Sequence, residues 1–323
     1  MDESHLPAVS VVIRAHNEER ALPAVLRAIE LQDYPTPPEV VLVDSGSRDG
    51  TREIAARHGA KVISLDRAYS PGLASNVGFD AANNPVCVLL SAAAFPATDL
   101  WLRALVTPFC GKATNLAATF SRQVPVPGAS PVEDAFVLRT FGPSASAARF
   151  SATSAAVSRD VWKLQPFEET FPPGGPDDRE WFDRITRAGF TAKYSPESVV
   201  VRSHGYSLGE WYRRIWVDAA GEEAIVSLGG ARWAPTRSPF GLAAATLARL
   251  VHEREQGEVL RYLLLAPTLA SARWVASRKR DPAGLDWIVG PLDRLDIRMF
   301  DPHERERAAT NRFLARYWAL EQQ

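Results

Sequence analysis

The chain has little cysteine and no excess of charge of either sign. Its two cysteines, Cys87 and Cys110, lie in apolar runs, so we expect buried free thiols and no disulfide framework. The 37 lysines and arginines nearly balance the 38 aspartates and glutamates, which leaves a formal net charge of −1. Phosphate recognition in a nucleic-acid binder normally requires a basic excess, so this balance argues against nucleic acid as a partner.

The sequence also lacks a long hydrophobic run. The longest apolar stretches, Val86–Phe95 and Tyr262–Ala272, fall far short of the ~20 residues that a membrane-spanning helix needs. The N-terminus is acidic and has no basic segment followed by an apolar one, so we expect no signal peptide and a cytoplasmic protein. Tyr262–Leu265, with Arg273 and Arg278–Arg280 nearby, could rest on the inner membrane face as a peripheral contact, or the helices could pack on the main domain or on another subunit.

What is present in the first hundred residues is an alternation of short apolar runs with helical patterns, the first of them at Glu18–Leu31. The predicted strands are Val9–Ile13, Val40–Val43, Lys61–Leu65 and Val86–Leu90. Continuous apolar runs of this length are typical of parallel strands buried on both faces. Right-handed crossover connections would then build an open, doubly wound α/β sheet.

The remainder of the chain changes character. Prolines and glycines cluster at residues 172–176, which predicts a loop, and a helix is predicted directly afterwards at Asp177–Gly189. A further helix is predicted from Ser207 to about Val226. The resulting division is an α/β domain at residues 1–230 and a C-terminal helical region at 231–323, with helices at Leu242–Glu255, Glu258–Lys279 and His303–Glu321.

Polar side chains follow the first two predicted strands, where an open parallel sheet binds its ligand. Arg14, His16 and Glu18 follow the first strand, and Asp44 and Ser45 follow the second. Asp44 could accept a hydrogen bond from a base N–H or a ribose hydroxyl, or it could only cap the next helix. His16 could stack on a flat base or be a half-exposed loop histidine, and Glu18 suits the first turn of a helix.

Two adjacent carboxylates begin the helix predicted after the Pro/Gly loop. Asp177 and Asp178 would stay ionised beside a helix N-terminus, and one of them could act as a general base toward an acceptor hydroxyl. Acids at a helix start are also common without any catalytic function. Adjacent helical residues point about 100° apart, which does not place two carboxylates across a glycosidic bond as a hydrolase requires. Further on, His204 could be a metal ligand or a structural histidine.

Taken in order, these segments resemble glycosyltransferase family 2, in its rhamnosyltransferase-like branch. The resemblance covers roughly residues 8–215 and implies a GT-A fold. It also implies an inverting transfer of a sugar from a nucleotide-sugar donor to an acceptor hydroxyl, in polysaccharide, glycolipid or natural-product assembly. The strings that carry it are VSVVIRAHNEERALPAVLRAI, VVLVDSGSRDGTREIAARHGAKV, YSPGLASNVGFDAANNPVCVLLSAAAFPATDLWL, PDDREWFDRITRAGF and YSPESVVVRSHGYSLGEWYRR.

The resemblance implies roles for individual residues. Asp178 matches the acid that supplies the catalytic base, with Asp177 in the place of the family's glutamate. His204 matches the downstream histidine that can touch the metal. The positions that match the nucleotide-sugar site are Arg14, His16, Glu18, Asp44, Ser45, Asn76, Ser91, Ala93 and Arg122.

The chain departs from the family at the motif that carries the divalent cation. The family's Asp-x-Asp falls on Ser91-Ala92-Ala93, which has no carboxylate, so Mg²⁺ or Mn²⁺ as a cofactor has weak support. Arg14, Arg122 or Arg179 could offset the diphosphate charge instead. The alternative is a degenerate GT-A module that binds a nucleotide or a protein partner without catalysis. A sugar, lipid-linked or small-molecule acceptor and a homo-oligomer both stay open.

Overall fold

The computed structural model describes residues 6–111, 114–129, 131–142, 150–202, 206–227, 267–268, 270–272, 274–276 and 285–300. The chain divides into two compact units. The first consists of the described parts of residues 1–123 and 145–202, and the second of those of residues 124–144 and 203–323. The predicted boundary at residue 230 lies outside the described residues, so it stays a prediction.

Several other predictions fall on parts of the chain that the structure does not describe. They are the metal ligand His204, the apolar and basic surface at Tyr262–Leu265, Arg273 and Arg278–Arg280, and the helices Leu242–Glu255 and His303–Glu321. The helix predicted at Glu258–Lys279 is described only at residues 267–268, 270–272 and 274–276, which are helical.

The first unit is built on an eight-stranded sheet. Its strands are β1 (Val9–Ala15), β2 (Glu39–Asp44), β3 (Lys61–Ser64), β4 (Val86–Ser91), β5 (Ala94–Pro96), β6 (Leu116–Pro125), β7 (Ser154–Ser158) and β8 (Thr191–Arg202). In space they lie in the order β3-β2-β1-β4-β7-β6-β8-β5. β1 runs parallel to β2 and β4, and β2 runs parallel to β3. β7 is antiparallel to both β4 and β6, and β5 is antiparallel to β8. The predicted α/β class is therefore confirmed.

Burial on both faces explains the composition of the central strands. Val11, Val12 and Ile13 of β1 are completely buried, as are Val88 and Leu89 of β4. A strand that is covered by helices on both faces has no solvent side on which polar residues could alternate with apolar ones. The continuous apolar runs in the sequence follow from this arrangement.

The helices include α1 (Leu22–Glu30), α2 (Thr51–Arg57), α3 (Pro71–Ala81), α4 (Trp101–Val106), α5 (Pro131–Phe141), α6 (Arg159–Leu164), α7 (Asp177–Arg187), α8 (Leu208–Ser227) and α9 (Asp286–Phe300). Helix α1 begins at Leu22, four residues later than the predicted start at Glu18. The backbone oxygen of Glu18 accepts hydrogen bonds from the amides of Ala21 and Leu22, at 3.1 and 2.9 Å, in a turn that precedes the helix. The interpretation of Glu18 as a first-turn residue is therefore wrong.

Helix α3 approaches the sheet closely at Gly78. A Cβ atom on this glycine would lie 2.2 Å from Cγ1 of Val12 and 3.1 Å from Cγ2 of Val43. Any larger residue would have to push the helix away from β1 and β2. Glycine at this position therefore sets the distance between α3 and the parallel half of the sheet.

A closed ring of hydrogen bonds joins α4 to three neighbouring strands. The indole Nε1 of Trp101 donates to Ser154 Oγ at 3.0 Å, and the Ser154 hydroxyl lies 2.6 Å from that of Ser121. Ser121 in turn lies 2.8 Å from Ser198, whose hydroxyl donates to the Trp101 carbonyl at 3.0 Å. All four side chains are buried, and the ring satisfies polar groups that would otherwise destabilise the core.

The second unit packs α5, α8 and α9 around aromatic side chains. The rings of Phe136 on α5 and Trp211 on α8 meet edge to face, with centroids 5.1 Å apart. Ser207 and Glu210 form a capping box at the start of α8, in which each residue's side chain accepts the other's backbone N–H, at 2.8 and 3.1 Å. This cap explains why the helix predicted from Ser207 starts where it does.

No helix in the described part of the chain combines the length and the apolar character needed to cross a bilayer. Cys87 is a buried free thiol as predicted, but Cys110 is exposed, so that prediction is wrong for Cys110. Cys110 ends a short 3₁₀ turn, Thr107–Cys110, that contains no buried residue.

Candidate active site

The carboxyl ends of β1, β2 and β4 meet at one edge of the sheet. In the strand register Ala15 lies opposite Asp44, and Arg14 lies opposite Ser91. The parallel pairing therefore brings together residues that are as many as 77 positions apart in the sequence. This is the edge at which open α/β sheets bind their ligands.

Asp44 is completely buried and organises the turn that follows β2. Both of its carboxylate oxygens accept the backbone N–H of Ser47 at 3.2 Å, and one also accepts that of Gly46 at 3.3 Å. Gly46 has a φ of 94°, which favours glycine. Asp49 rather than Asp44 binds the start of α2, because its Oδ1 accepts the N–H of Thr51 at 3.1 Å. Asp44 therefore shapes a loop at the ligand-binding edge and does not cap the helix.

A second loop lies beside this turn and is tied to it by Asn17. The Asn17 N–H donates to Ser47 Oγ at 2.8 Å, and Asn17 Oδ1 accepts the N–H of Arg48 at 2.9 Å. His16, next to it, is exposed, and its ring Nε2 lies 3.1 Å from the side-chain nitrogen of Asn17. Ser45 is more enclosed, since its hydroxyl donates to the Ala15 carbonyl at 3.1 Å.

Glu18 lies at the base of the same loop and is largely buried. Burial, together with the nearby negative charge of Asp49, raises the pKa of the Glu18 carboxyl to about 7. The Glu18 backbone N–H donates to Thr51 Oγ1 at 2.8 Å, which ties the loop to the start of α2. This carboxyl therefore titrates near neutral pH at the predicted nucleotide-binding edge.

Asn76 on α3 uses its side-chain amide within the protein. Its Nδ2 donates to the Phe167 carbonyl at 2.9 Å and to Glu169 Oε1 at 3.0 Å. Its Oδ1 accepts the indole N–H of Trp162 at 2.9 Å and the backbone N–H of Phe167 at 3.0 Å. These four contacts account for its polar groups without a ligand, and they hold the segment before α7 against α3.

Arg14 and the two acids of α7 meet at the segment that precedes β7. An Arg14 guanidinium nitrogen lies 3.9 Å from a carboxylate oxygen of Asp177, which is buried. Another Arg14 nitrogen donates to the Ala152 carbonyl at 3.4 Å, and the Ala152 N–H donates to Asp178 Oδ2 at 3.2 Å. Asp178 is half-buried and so the more accessible of the two acids. The predicted pair thus divides into one acid facing an arginine and one facing the backbone and solvent.

Arg202, at the carboxyl end of β8, is a residue that the sequence analysis did not single out. Only 8% of it is exposed, and its Nη1 donates to Thr153 Oγ1 at 2.9 Å. The Thr153 carbonyl accepts the backbone N–H of Ser91 at 2.9 Å, so Arg202 is connected to the end of β4. The sequence carries a signal for this residue, because Arg202 follows the apolar run Val199–Val201 just as Asp44 follows Val40–Val43.

The end of β4 offers few ligands for a divalent cation. Ser91 Oγ lies 3.4 Å from the N–H of Ala93, which donates to it, and Ala92 is buried. No group of three His, Cys, Asp or Glu residues in the described part of the chain is placed to hold a metal ion. A hard cation needs several oxygen ligands, so the residues at the end of β4 do not fit such a cation.

Arg122 lies on β6 near Tyr194. Burial raises the pKa of the Tyr194 phenol, and the charge of Arg122 opposes this rise.

Comparison with known proteins supports a single family. The model of glycosyl transferase family 2 matches residues 10–150. Glycosyltransferase AglE of Haloferax volcanii is 28% identical over 206 residues, which cover 61% of this chain and 67% of that protein. The undecaprenyl-phosphate 4-deoxy-4-formamido-L-arabinose transferase of Aeromonas hydrophila is 36% identical over 104 residues, or 28% of this chain and 31% of that protein. The chain thus matches about a third of the length of this second relative.

Two solved structures are similar in fold. The mannosyltransferase PcManGT of Pyrobaculum calidifontis, solved in complex with GDP-Man and Mn²⁺, gives a TM-score of 0.57 at 22% identity. That likeness covers 97% of this chain and 88% of the other. Glucosyl-3-phosphoglycerate synthase of Mycobacterium tuberculosis gives a TM-score of 0.50 at 20% identity, over 68% of this chain and 80% of that one. At this identity the likeness concerns the fold alone.

Proposed function

We propose that this chain is an inverting transferase of glycosyl transferase family 2 that uses a nucleotide-sugar donor, because the family's model matches residues 10–150 and the fold is of the GT-A type. The acceptor would be a hydroxyl group that attacks the anomeric carbon from the side opposite the leaving nucleotide. One observation carries this proposal. Asp178 lies at the start of α7, half-buried, and is linked through Ala152 to Arg14 at the end of β1.

The nucleoside would bind at the two tied loops after β1 and β2. The turn shaped by Asp44 is held by its own hydrogen bonds, and the exposed ring of His16 in the neighbouring loop offers a flat surface for a base. Asn17 holds the two loops together without a ligand. A site whose parts are already bound to one another loses less conformational entropy when the ligand binds.

Asp178 would act as the general base. One of its oxygens accepts the Ala152 N–H, which orients the carboxylate, and the other would accept the acceptor's proton. As that proton leaves, the acceptor oxygen forms a bond to the anomeric carbon, and the bond from this carbon to the donor phosphate breaks. The electron pair of the broken bond goes to the departing nucleoside diphosphate. A positioned base contributes typically about 10²–10⁴-fold to such a rate.

The test is nucleotide release by wild type and Asp178→Asn over a panel of donors and acceptors. The donors include GDP-mannose and UDP-glucose and the acceptors include phosphoglyceric acid, which carries a hydroxyl group, because solved structures of similar fold contain these compounds. We expect the variant to lose on the order of 10²–10⁴ in kcat with its fold intact by circular dichroism. Asp160→Asn is the matched control, since Asp160 is an exposed acid in the first turn of α6. Full activity of Asp178→Asn would show that another group takes the proton.

A second function rests on the composition of the β4 end. Ser91-Ala92-Ala93 supplies no carboxylate, which favours a nucleotide-binding module that has kept the fold without the chemistry. Calorimetric binding of nucleoside diphosphates without transfer to any acceptor of the panel would support this function. Transfer by the wild type that Asp178→Asn abolishes would exclude it.

A further inference from the structure

Two arginines bracket the segment that replaces the family's acidic motif. In the β1–β4 register Arg14 lies opposite Ser91, the first residue of that segment. In the β5–β8 register Arg202 lies opposite Ala94, the residue that directly follows it. Arg202 donates a hydrogen bond to the Thr153 side chain, and the Thr153 carbonyl accepts the Ser91 N–H. Arg202 is therefore connected through Thr153 to the end of β4. The strand registers thus place two arginines opposite the two ends of one short stretch of backbone, residues 91–94.

Both arginines are mostly removed from water. The side chain of Arg14 is 15% exposed, and Arg202 is 8% exposed. Taking a guanidinium out of water is costly unless an anion or several good acceptors compensate for it. Arg14 is enclosed at the ligand-binding edge of the sheet, so an anion bound there would compensate for the water that its guanidinium has lost.

The present contacts of Arg14 are long for an arginine. Its nitrogens lie 3.3 Å from the Pro71 carbonyl, 3.4 Å from Ser75 Oγ and 3.4 Å from the Ala152 carbonyl. The nearest oxygen of Asp177 is 3.9 Å away. Charge-assisted N–H···O bonds to carboxylate or phosphate are normally about 2.7–2.9 Å long, so Arg14 is held in place by weak partners. Such an arginine is oriented and still able to bind a stronger acceptor.

We propose that Arg14 and Arg202 bind the diphosphate of the donor at the point where other family members would hold a cation, an inference that rests on the proposed function. Guanidinium groups match phosphate oxygens with paired hydrogen bonds and a fixed positive charge. When the bond between the anomeric carbon and the phosphate oxygen breaks, the negative charge develops beside these two groups. They stabilise the leaving nucleoside diphosphate as it forms.

The experiment is calorimetric binding of a nucleoside diphosphate and of the matching monophosphate, each in EDTA and in Mn²⁺. Wild type should bind the diphosphate more tightly than the monophosphate in EDTA, with little change on adding Mn²⁺. Arg202→Gln should weaken diphosphate binding in EDTA by about 10–100-fold, as expected for a lost bond to a charged group. Monophosphate binding should change by less than about 3-fold.

Two further variants make the result specific. Arg202→Lys keeps the charge and should restore part of the diphosphate affinity, which a purely structural role of Arg202 would not produce. Arg187→Gln is the matched control, because Arg187 is a half-exposed arginine of α7 that pairs with Asp183. It should leave every affinity unchanged. If Arg202→Gln does not fold, Arg202→Lys and the wild-type comparison in EDTA still decide the question.

The outcomes separate this inference from the function on which it rests. Diphosphate binding that requires Mn²⁺ and is the same in Arg202→Gln would overturn the role of the arginines and leave the transferase proposal standing. Failure of every nucleotide to bind in both EDTA and Mn²⁺ would overturn the transferase proposal itself. Metal-independent binding that Arg202→Gln weakens and Arg202→Lys partly restores would support both.

Discussion

Replacing Asn76 tests whether this residue is a structural clamp or a donor-binding residue. Asn76→Ala removes the acceptor of the Trp162 indole N–H and of the Phe167 backbone N–H, and also the donor to the Phe167 carbonyl. Trp162 and Phe167 are buried, so these groups would lose their partners in a place that water reaches poorly. The fourth contact, to Glu169, is partly exposed, so its loss should lower the free energy of unfolding by less.

The expected loss of stability follows from these contacts. Each buried group left without a partner costs about 1–3 kcal/mol, and entry of water into the vacated space offsets part of this. For three such groups we expect a loss of about 3 kcal/mol in the free energy of unfolding. In a domain of this size 1 kcal/mol corresponds to about 2–4 °C, so the melting temperature should fall by about 6–12 °C.

The assay is thermal and urea unfolding of wild type, Asn76→Ala and Asn76→Asp. The aspartate keeps the acceptor for Trp162 but brings a carboxylate close to Glu169, so its stability should lie between the other two. Asp80→Ala, an exposed position on the same helix, serves as the control and should melt like wild type. A melting temperature of Asn76→Ala within about 2 °C of wild type, with weakened nucleotide binding, would refute the clamp and favour a ligand role.

Two other predictions concern packing and pH. Gly78→Ala should destabilise the chain by about 1–3 kcal/mol in urea unfolding, because its Cβ would lie 2.2 Å from Val12. Gly290→Ala, a helical site with open space, should instead stabilise it slightly, and equal effects would contradict this reasoning. Burial and the charge of Asp49 raise the pKa of Glu18 from 4.5 to about 7, so between these pH values the folded protein keeps a proton that the unfolded chain releases. The free energy of unfolding therefore falls as the pH rises through that interval. Glu18→Gln should therefore raise the unfolding free energy by on the order of 1–2 kcal/mol at pH 8 and barely change it near pH 4.5. A gain of the same size at both pH values would show that Glu18 is ionised in the folded state even near pH 4.5, which would contradict a raised pKa.

Much of the fold could be predicted because its signals are local. The runs at Val9–Ile13 and Val86–Leu90 are apolar without alternation, and only a strand buried on both faces requires that. The helix at Asp177 begins where a Pro/Gly loop ends, and the helix after Ser207 begins at a capping box. Patterns of this kind are read from neighbouring residues and do not depend on what the chain contacts elsewhere.

The antiparallel half of the sheet was not predictable in the same way. β7 lies between β4 and β6, so strands that are distant in the sequence become neighbours. β6 and β8 carry buried serines such as Ser121 and Ser198, which weaken the apolar pattern that marks a strand. Those serines are stable in the core only because they bond to one another, and that pairing is a property of the assembled sheet.

The sequence by itself determined which residues end the strands of the parallel half, because hydrophobic runs mark strands and strand ends mark the ligand-binding edge. It identified Arg14 and Asp44 on that basis, and Asp178 from the helix that begins after a Pro/Gly loop. Only the tertiary structure decided what surrounds each of them. It bonded the side-chain amide of Asn76 to Phe167, and it connected Arg202 of β8 through Thr153 to the end of β4. The physical reason is that hydrogen bonds and charge pairs between distant segments depend on strand order and register, which no local pattern encodes.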